Sequence, residues 1–264
     1  MSKELNPKNY LSIHKLEANC YTHKMVTQIP ELSLFLPCYN EGKNLQNTVD
    51  KTLPILQKVA KKWELIIVDD GSKDNTGAIT KAIQKRYPNN IKIITHSPNR
   101  GYGAAFKSGF YNAKYQWIAF IDADGQFDFN DIYKLLDTQK KTKADLVIGY
   151  YLKRQVPLFR IIGTKAWQIA VFLLFGLKVR DIDCGFKLAN KKVIDTIPQL
   201  VAERGPFISS EFLIKSKKAN FKIEQVGVHH YPRNAGTATG SKLNVIIAGF
   251  KDLFRLWFYL NFRV

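Results

Sequence analysis

Short apolar runs alternate with longer segments of helical pattern between residues 31 and 149. The predicted strands are LSLFL (32–36), ELIIV (64–68), IKIIT (91–95), WIAFI (117–121) and DLVIG (145–149). The segments between them, at about residues 42–60, 74–87, 103–114 and 129–140, have the pattern of helices. This alternation predicts an α/β fold, Rossmann-like, with a doubly wound and mostly parallel sheet covered by helices on both faces.

Polar and acidic residues follow three of the predicted strands. The first strand runs into PCYNEG (37–42), the second into DDGSKDN (69–75) and the fourth into DADGQ (122–126). In an open parallel sheet, ligands bind beyond the carboxyl ends of the strands. We therefore expect these three segments to form one ligand site.

The stretch FIDADGQFD, Phe120 to Asp128, carries the most specific chemistry. Asp122 and Asp124 are one residue apart, so on an extended chain both carboxylates point to the same side and can bind Mg²⁺ or Mn²⁺. A solvated turn is the alternative, but like charges this close are usually stabilised by a cation. A calcium loop is excluded, because Phe127 stands where that loop needs glycine and Tyr133 where it needs glutamate.

NRGYGAAFKSG (99–109) lacks the third glycine of a dinucleotide fingerprint and follows the third strand, not the first. It predicts either a tight helix start at which Arg100 and Lys107 approach phosphates, or close helix packing. The chain has no G-x-x-x-x-G-K-[ST] motif, so a P-loop is excluded.

The formal net charge of the 264 residues is +18, which favours anionic partners such as nucleic acid, anionic lipid or phosphorylated substrates. The three cysteines have no C-x-x-C spacing, which indicates a reducing compartment without disulfides or a zinc site. Residues 1–28 contain no apolar segment of the secretory type, and we expect an N-terminal extension and a cytoplasmic protein. No run reaches the ~18 apolar residues of a membrane span.

Five blocks, LPCYNEG, IIVDDGSKDNT, NRGYGAAFKSG, IDADGQFD and DIDCGFKL, occur in the order and spacing of family 2 glycosyltransferases. The resemblance covers roughly Ile29 to Leu243 and is greatest to the dolichyl- and polyprenyl-phosphate mannose and glucose synthases. It implies a GT-A fold over residues 29–242. It also implies inverting transfer of a hexose from a nucleotide diphosphate sugar, of the GDP-mannose or UDP-glucose type, to a polyprenyl phosphate.

The resemblance also implies roles for individual residues. On the donor side, the nucleotide pocket would be lined by Pro37, Tyr39 and Glu41, with Asp70 on the base and Arg100 and Gly103 near the donor. The Mg²⁺ or Mn²⁺ ligands would be Asp122, Asp124 and Gln126.

On the acceptor side, either Asp181 or Asp183 would orient the acceptor or act as base, and we favour Asp183; capping of a helix is the alternative. HHYPRNAGTATGSKL (229–243) resembles a flexible loop that carries an arginine and a Ser-Lys pair, here Arg233, Ser241 and Lys242. Arg233 would hold the acceptor phosphate, and Lys242 is a substrate-binding candidate. Asp183, Asp124 and Arg233 are thus the catalytic candidates, while the role of Glu211 is open.

Two further segments combine apolar and basic residues. Residues 153–180 are predicted to form a basic lid that faces a membrane, and residues 243–264 an amphipathic helix with apolar residues at steps of three and four. Such a helix either packs on the core or lies on an anionic membrane surface, and its flanking Trp257 and Arg255 favour the membrane. We expect a peripheral protein at the inner face of the membrane.

Two rival functions predict different behaviour. A transferase of the same fold that acts on a sugar hydroxyl would need Asp183 as general base. A non-catalytic nucleic-acid-binding protein is suggested by the charge alone, and it leaves the strand-end carboxylates unexplained because they would repel phosphates. We therefore expect no nucleic acid among the partners.

Overall fold

A computed structural model describes residues 28–153, 158–203, 205, 207–233 and 243–262, with residues 158–160 and 243–248 described by their backbone only. The strands are β1 (Ile29–Cys38), β2 (Ala60–Asp69), β3 (Ile91–Thr95), β4 (Trp117–Phe120), β5 (Leu146–Tyr151), β6 (Lys187–Asn190) and β7 (Ile223–Val228). They form one sheet in the order β3-β2-β1-β4-β6-β5-β7. Only β6, among these strands, runs antiparallel to its neighbours.

The helices are α1 (Leu45–Val59), α2 (Thr76–Arg86), α3 (Tyr102–Asn112), α4 (Ile132–Thr142), α5 (Leu158–Phe175), α6 (Lys191–Thr196), α7 (Phe207–Lys218) and α8 (Leu243–Phe262). A 3₁₀ turn, Phe129–Asp131, leads into α4. The predicted α/β class and mostly parallel sheet are confirmed, and so are the five early strands and the C-terminal helix.

Two hydrophobic layers enclose the sheet. One face is covered by α1, α2 and α4, and the other by α3, α5, α6, α7 and α8. Alternate residues of each strand enter opposite layers: Leu34 packs in one and Phe35 in the other. The approach of α3 to β1 is close, because a Cβ on Gly109 would lie 2.2 Å from the Phe35 ring.

Helices α5 and α8 contact each other and the second of these layers. Trp167 of α5 meets Phe250 of α8 with 5.1 Å between ring centroids, and Leu253 and Leu256 of α8 are buried. Their opposite faces carry large exposed apolar residues: Ile162, Ile169, Phe172 and Leu173 on α5, and Phe254, Phe258, Tyr259 and Phe262 on α8. The predicted apolar stripe of α8 is therefore divided between the core and the surface. Among the described helices, none has the length and apolarity needed to cross a bilayer.

Candidate active site

One edge of the sheet gathers almost all of the predicted site residues. The carboxyl ends of β1, β2, β4 and β7 lead into Tyr39, Asp70, Asp122 and His229. Because β6 is antiparallel, the residues that precede it, 181–186, arrive at the same edge. The predicted convergence of strand ends is thus present, with two segments added to it.

Asp122 is the centre of this edge. Its Oδ1 accepts a hydrogen bond of 3.0 Å from the hydroxyl of Tyr102, at the start of α3. The backbone of Gly185 lies against the other oxygen, since a Cβ there would stand 2.2 Å from Oδ2. Sequence reasoning assigned a role to neither residue, although both lie in blocks that carry the resemblance.

The electrostatics of the acidic pair are unfavourable without a cation. Burial and the neighbouring Asp124 carboxylate raise the pKa of Asp122 to about 7. Burial and Asp122 likewise raise the pKa of the Tyr102 hydroxyl, so it stays a neutral donor. The pair therefore favours any cation that reaches it.

Arg233 supplies one such cation. Its Nη2 donates to Asp124 Oδ2 at 2.5 Å and its Nη1 donates to Glu41 Oε1 at 3.1 Å. Burial nevertheless holds the pKa of Glu41 above its ordinary value. Arg233 thus joins the β1 end to the β4 end.

Gln126, a predicted metal ligand, forms hydrogen bonds with Tyr231. Its side-chain Nε2 donates to the backbone carbonyl of Tyr231 at 2.8 Å, and its backbone carbonyl accepts from Tyr231 N at 2.7 Å. His229 is tied to Asp131, and the ring of His230 lies 4.4 Å from that of Tyr151. Gln126 therefore holds the segment that carries Arg233.

Both oxygens of the Asp70 carboxylate accept hydrogen bonds from other residues of the protein. Oδ1 accepts from His96 Nδ1 (2.6 Å) and Arg100 N (3.0 Å), and Oδ2 accepts from Asn99 Nδ2 (2.7 Å) and Gly101 N (2.8 Å). Four contacts match the acceptor capacity of a carboxylate. In this arrangement Asp70 shapes the loop that precedes α3 and places Arg100.

Arg100 and Gly103 lie against residues 199–203. The Arg100 guanidinium and the Lys107 ammonium each contact Glu203 Oε1 at 3.1 Å. A Cβ on Gly103 would lie 2.6 Å from the carbonyl oxygen of Ala202, so glycine is required by this close approach. Gly103 therefore allows α3 to pack closely on this segment, and two cations of the glycine-rich block face an acidic partner.

Glu211, whose role the sequence left open, anchors the same segment. It is fully buried and accepts from Val201 N (2.9 and 3.1 Å) and Ala202 N (2.8 Å). Its ion pair with Lys215 is 2.5 Å long, and Lys215 Nζ also donates to the carbonyl of Gln199 at 2.6 Å. Glu211 thus braces residues 199–203 from α7.

The DIDCGFKL block places its two aspartates differently. Asp181 is buried and its Oδ1 accepts from Asp183 N at 3.2 Å, whereas Asp183 is only half-buried. This exposure favours Asp183 as the residue that faces a ligand. Lys187 is fully buried behind the turn, where its ammonium donates to the carbonyl of Cys184 and burial lowers its pKa.

The remaining predicted residues are Pro37, at the end of β1, Tyr39, which is exposed, and Lys242, which lies outside the described residues. Asn40 and Gly42 link this segment to the β2 end, since their amides donate to Ser72 Oγ (2.9 Å) and Asp74 Oδ2 (3.0 Å). Cys38 and Cys184 are free and buried.

Within the described part of the chain, no group of three or more His, Cys, Asp or Glu side chains is placed to hold a metal ion. The two oxygen-donor residues Asp122 and Asp124, with the burial and mutual repulsion that raise the Asp122 pKa, fit a different kind of site. Mg²⁺ is usually held by one or two carboxylates together with substrate phosphates and water. The residues present fit such a cation.

Solved structures place this architecture in a class. Glucosyl-3-phosphoglycerate synthase from Mycobacterium tuberculosis, in complex with phosphoglyceric acid, has a TM-score of 0.66 at 18% identity, over 98% of this chain and 85% of that chain. The same enzyme has been solved with Mn²⁺ and UDP-glucose, with a TM-score of 0.64 at 17% identity, over 98% of this chain and 84% of that chain. The fold is that of the GT-A glycosyltransferases.

The sequence comparisons identify the family. The model of glycosyl transferase family 2 matches residues 33–197, more than half of the chain. A dolichyl-phosphate β-glucosyltransferase of Dictyostelium discoideum is 32% identical over 86% of this chain and 74% of its own length. A dodecaprenyl-phosphate galacturonate synthase of Rhizobium johnstonii is 27% identical, over 88% of this chain and 68% of its own length. The chain belongs to glycosyl transferase family 2.

Proposed function

We propose that the protein transfers a hexose from a nucleotide diphosphate sugar to the phosphate of a polyprenyl phosphate, with inversion at the anomeric carbon. The observation that carries the proposal is the meeting of the Asp122–Asp124 pair with the Arg233 guanidinium at one edge of the sheet. The acidic pair suits a cation that accompanies a diphosphate, and the guanidinium suits a second phosphate. The names of the relatives support a lipid-phosphate acceptor and favour glucose as the sugar.

In the proposed reaction, an oxygen of the acceptor phosphate attacks the anomeric carbon as its bond to the diphosphate oxygen breaks. The nucleoside diphosphate leaves with the bonding electron pair. Asp122 and Asp124 would hold a divalent cation, which would supply positive charge to neutralise that leaving group. A phosphate monoester has a second pKa of about 6 by analogy with phosphoserine, so the nucleophile is already anionic and needs little help from a general base.

The chain itself supplies orientation. Tyr102 and the close backbone of Gly185 fix the Asp122 carboxylate, and Asp70 fixes the loop that carries Arg100. Arg233 would hold the acceptor phosphate in line, and the half-buried Asp183 would orient the acceptor. Proximity and orientation of this kind lower the barrier without a covalent intermediate.

We further propose that the protein works at the cytoplasmic face of a membrane, held there peripherally by the exposed faces of α5 and α8. Exposed cations accompany these apolar faces: Lys165, Lys178 and Arg180 near α5, and Lys251 and Arg255 on α8. Apolar insertion combined with attraction to anionic lipid is the physical basis of interfacial binding. A lipid acceptor would then reach the site from the membrane surface.

The test is an assay with a short-chain polyprenyl phosphate and a panel of UDP- and GDP-sugars in the presence of Mn²⁺ or Mg²⁺. We expect D124N to abolish transfer, R233A to raise the acceptor KM, and D183N to slow transfer only moderately. D128N is the matched control, because Asp128 carries the same charge but caps the 3₁₀ turn through Asn130.

A hydroxyl acceptor would reverse this order, since loss of general-base catalysis typically costs about 10²–10⁴-fold. A collapse of kcat in D183N, with R233A close to wild type, would therefore exclude the lipid-phosphate acceptor. Activity of D124N equal to that of D128N at saturating metal would exclude the metal assignment.

A further inference from the structure

The guanidinium of Arg233 contacts two acidic residues from different strand ends. The contacts are 2.5 Å to Asp124 Oδ2 and 3.1 Å to Glu41 Oε1. The side chains of Asp124 and Glu41 are 7% and 12% exposed, and that of Arg233 is 26% exposed. Charge-assisted contacts in such a partly desolvated place are stronger than those of surface ion pairs.

The backbone before Arg233 is fixed from two sides. His230 pairs with Phe127 in an antiparallel bridge, and Tyr231 exchanges hydrogen bonds with Gln126. His229 N donates to the Asp131 carboxylate, which also pairs with Lys134 at 2.7 Å. Residues 229–231 are therefore held along the chain that follows Asp124, and the Arg233 side chain is delivered to that carboxylate.

This contact conflicts with the two tasks assigned to the site. A divalent cation on Asp124 would compete with Arg233 for the carboxylate oxygen Oδ2. An acceptor phosphate would need the guanidinium that Asp124 and Glu41 now hold. We propose that Arg233 is an exchangeable latch: it holds Asp124 and Glu41 in the empty site, and divalent cation binding releases it for the acceptor phosphate. The latch rests on the proposed function, because it names how the same residues are used in turn.

The divalent cation and Arg233 compete for Asp124, and this competition affects the affinity of both ligands. A ligand that must displace an internal partner binds with an affinity reduced by the fraction of molecules in the released state. Removal of the latch should therefore strengthen cation binding while weakening binding of the acceptor phosphate. By linkage, a cation that releases Arg233 must also raise the affinity of the latched protein for that phosphate.

The first measurement is Mn²⁺ binding to the full chain without donor, by calorimetry or by the loss of free Mn²⁺ signal in electron paramagnetic resonance. R233M keeps the length of the side chain and removes its charge; we expect about 10-fold tighter Mn²⁺ binding, the size of a typical coupling between sites. R233K should fall between R233M and wild type, because an ammonium cannot bridge two carboxylates as the guanidinium fork does. R86M is the control: it removes the same unit of charge from a surface pair with Asp50 and should bind Mn²⁺ with the affinity of wild type.

The second measurement is binding of a short-chain prenyl phosphate with and without Mn²⁺ and UDP. Wild type should bind the prenyl phosphate several-fold more tightly when Mn²⁺ and UDP are present, and R233M should lose most of this gain. A gain that is equal in both proteins would mean that the bound cation attracts the phosphate directly, which would contradict the latch.

Failure of the latch and failure of the proposed site give different results. If D124N loses Mn²⁺ while R233M binds it no more tightly than wild type, the metal site stands and the latch is wrong. If R233K binds Mn²⁺ with the affinity of wild type, a single positive charge accounts for the effect on Mn²⁺ binding. The bridge between two carboxylates is then not needed, and the latch is again wrong. If D124N keeps wild-type Mn²⁺ affinity, the metal site itself is wrong.

Discussion

Asp122 lies at the sheet edge between the Tyr102 hydroxyl, the Gly185 backbone and the Asp124 carboxylate. The D-x-D pattern after a strand predicted two carboxylates on one side of the chain, and the structure places Asp122 and Asp124 together at the sheet edge. The pattern could not predict the Tyr102 hydroxyl or the Gly185 backbone against Asp122, because these contacts join residues far apart in the sequence. For the same reason it could not predict the contacts of Gln126 and Asp70.

The raised pKa of Asp122 predicts that metal-free protein loses stability as the pH rises. Its pKa is about 7 in the fold against an ordinary value of 3.8, so the native state binds a proton more tightly than the unfolded state. Stability from this group is therefore lost as the pH rises from about 4 to 7, the window between the two pKa values. Above pH 7 the charged pair is complete, and a divalent cation should offset the loss.

The measurement is Tm against pH, with and without Mn²⁺. Wild type should gain more in Tm from Mn²⁺ at pH 8 than at pH 5.5, whereas D122N should show a flatter metal-free profile and a smaller gain. D128N again serves as the charge-matched control. An equal Mn²⁺ gain at both pH values in wild type would contradict the assignment of the raised pKa to a metal-binding carboxylate.

At the scale of elements, the strands with continuous apolar runs were predicted and the irregular elements were not. Strand β6 is short, and its buried Lys187 interrupts the apolar pattern that sequence reasoning depends on. Helix α7 buries Ser209, Ser210, Glu211, Lys215 and Ser216, so it shows no separation of polar and apolar faces. Both elements are stabilised by tertiary contacts that a local pattern does not contain.

The brace between α7 and residues 199–203 predicts a large effect for a residue outside the acidic pair. E211A should lower the free energy of unfolding by about 3–5 kcal/mol, because it leaves the Lys215 charge buried without its partner. It also removes the acceptor of two backbone amides, Val201 N and Ala202 N. The measurement is urea-induced unfolding at neutral pH.

E203A is the matched control for E211A. Glu203 also pairs with two cations, but its side chain is 48% exposed, and surface pairs contribute only about 0–1 kcal/mol. Equal destabilisation by the two substitutions would show that burial of the Glu211–Lys215 pair is not what stabilises this part of the fold.

At the scale of the whole molecule, the apolar surface is concentrated on two helices that are in contact. Helix α8 is anchored by Leu253 and Leu256 in the core, and Phe254 and Phe258 remain exposed on it. Removal of the whole helix would therefore destabilise the fold and also delete the exposed apolar face. Substitution of exposed residues alone separates the membrane proposal from core packing.

We expect F254S/F258S to weaken flotation with anionic liposomes while leaving the Tm near that of wild type. Each phenylalanine that leaves water contributes up to about 1.5–3 kcal/mol to membrane binding. Even if insertion is shallow, loss of both phenylalanines should therefore lower the partition coefficient of the protein onto liposomes by at least roughly 10-fold. V201S, which removes an exposed apolar residue that belongs to neither α5 nor α8, is the control and should float as wild type does. Raising the salt concentration should weaken binding of both proteins, because attraction between basic residues and anionic lipid is screened. Unchanged flotation of F254S/F258S beside an unchanged Tm would assign the exposed face of α8 to something other than the membrane.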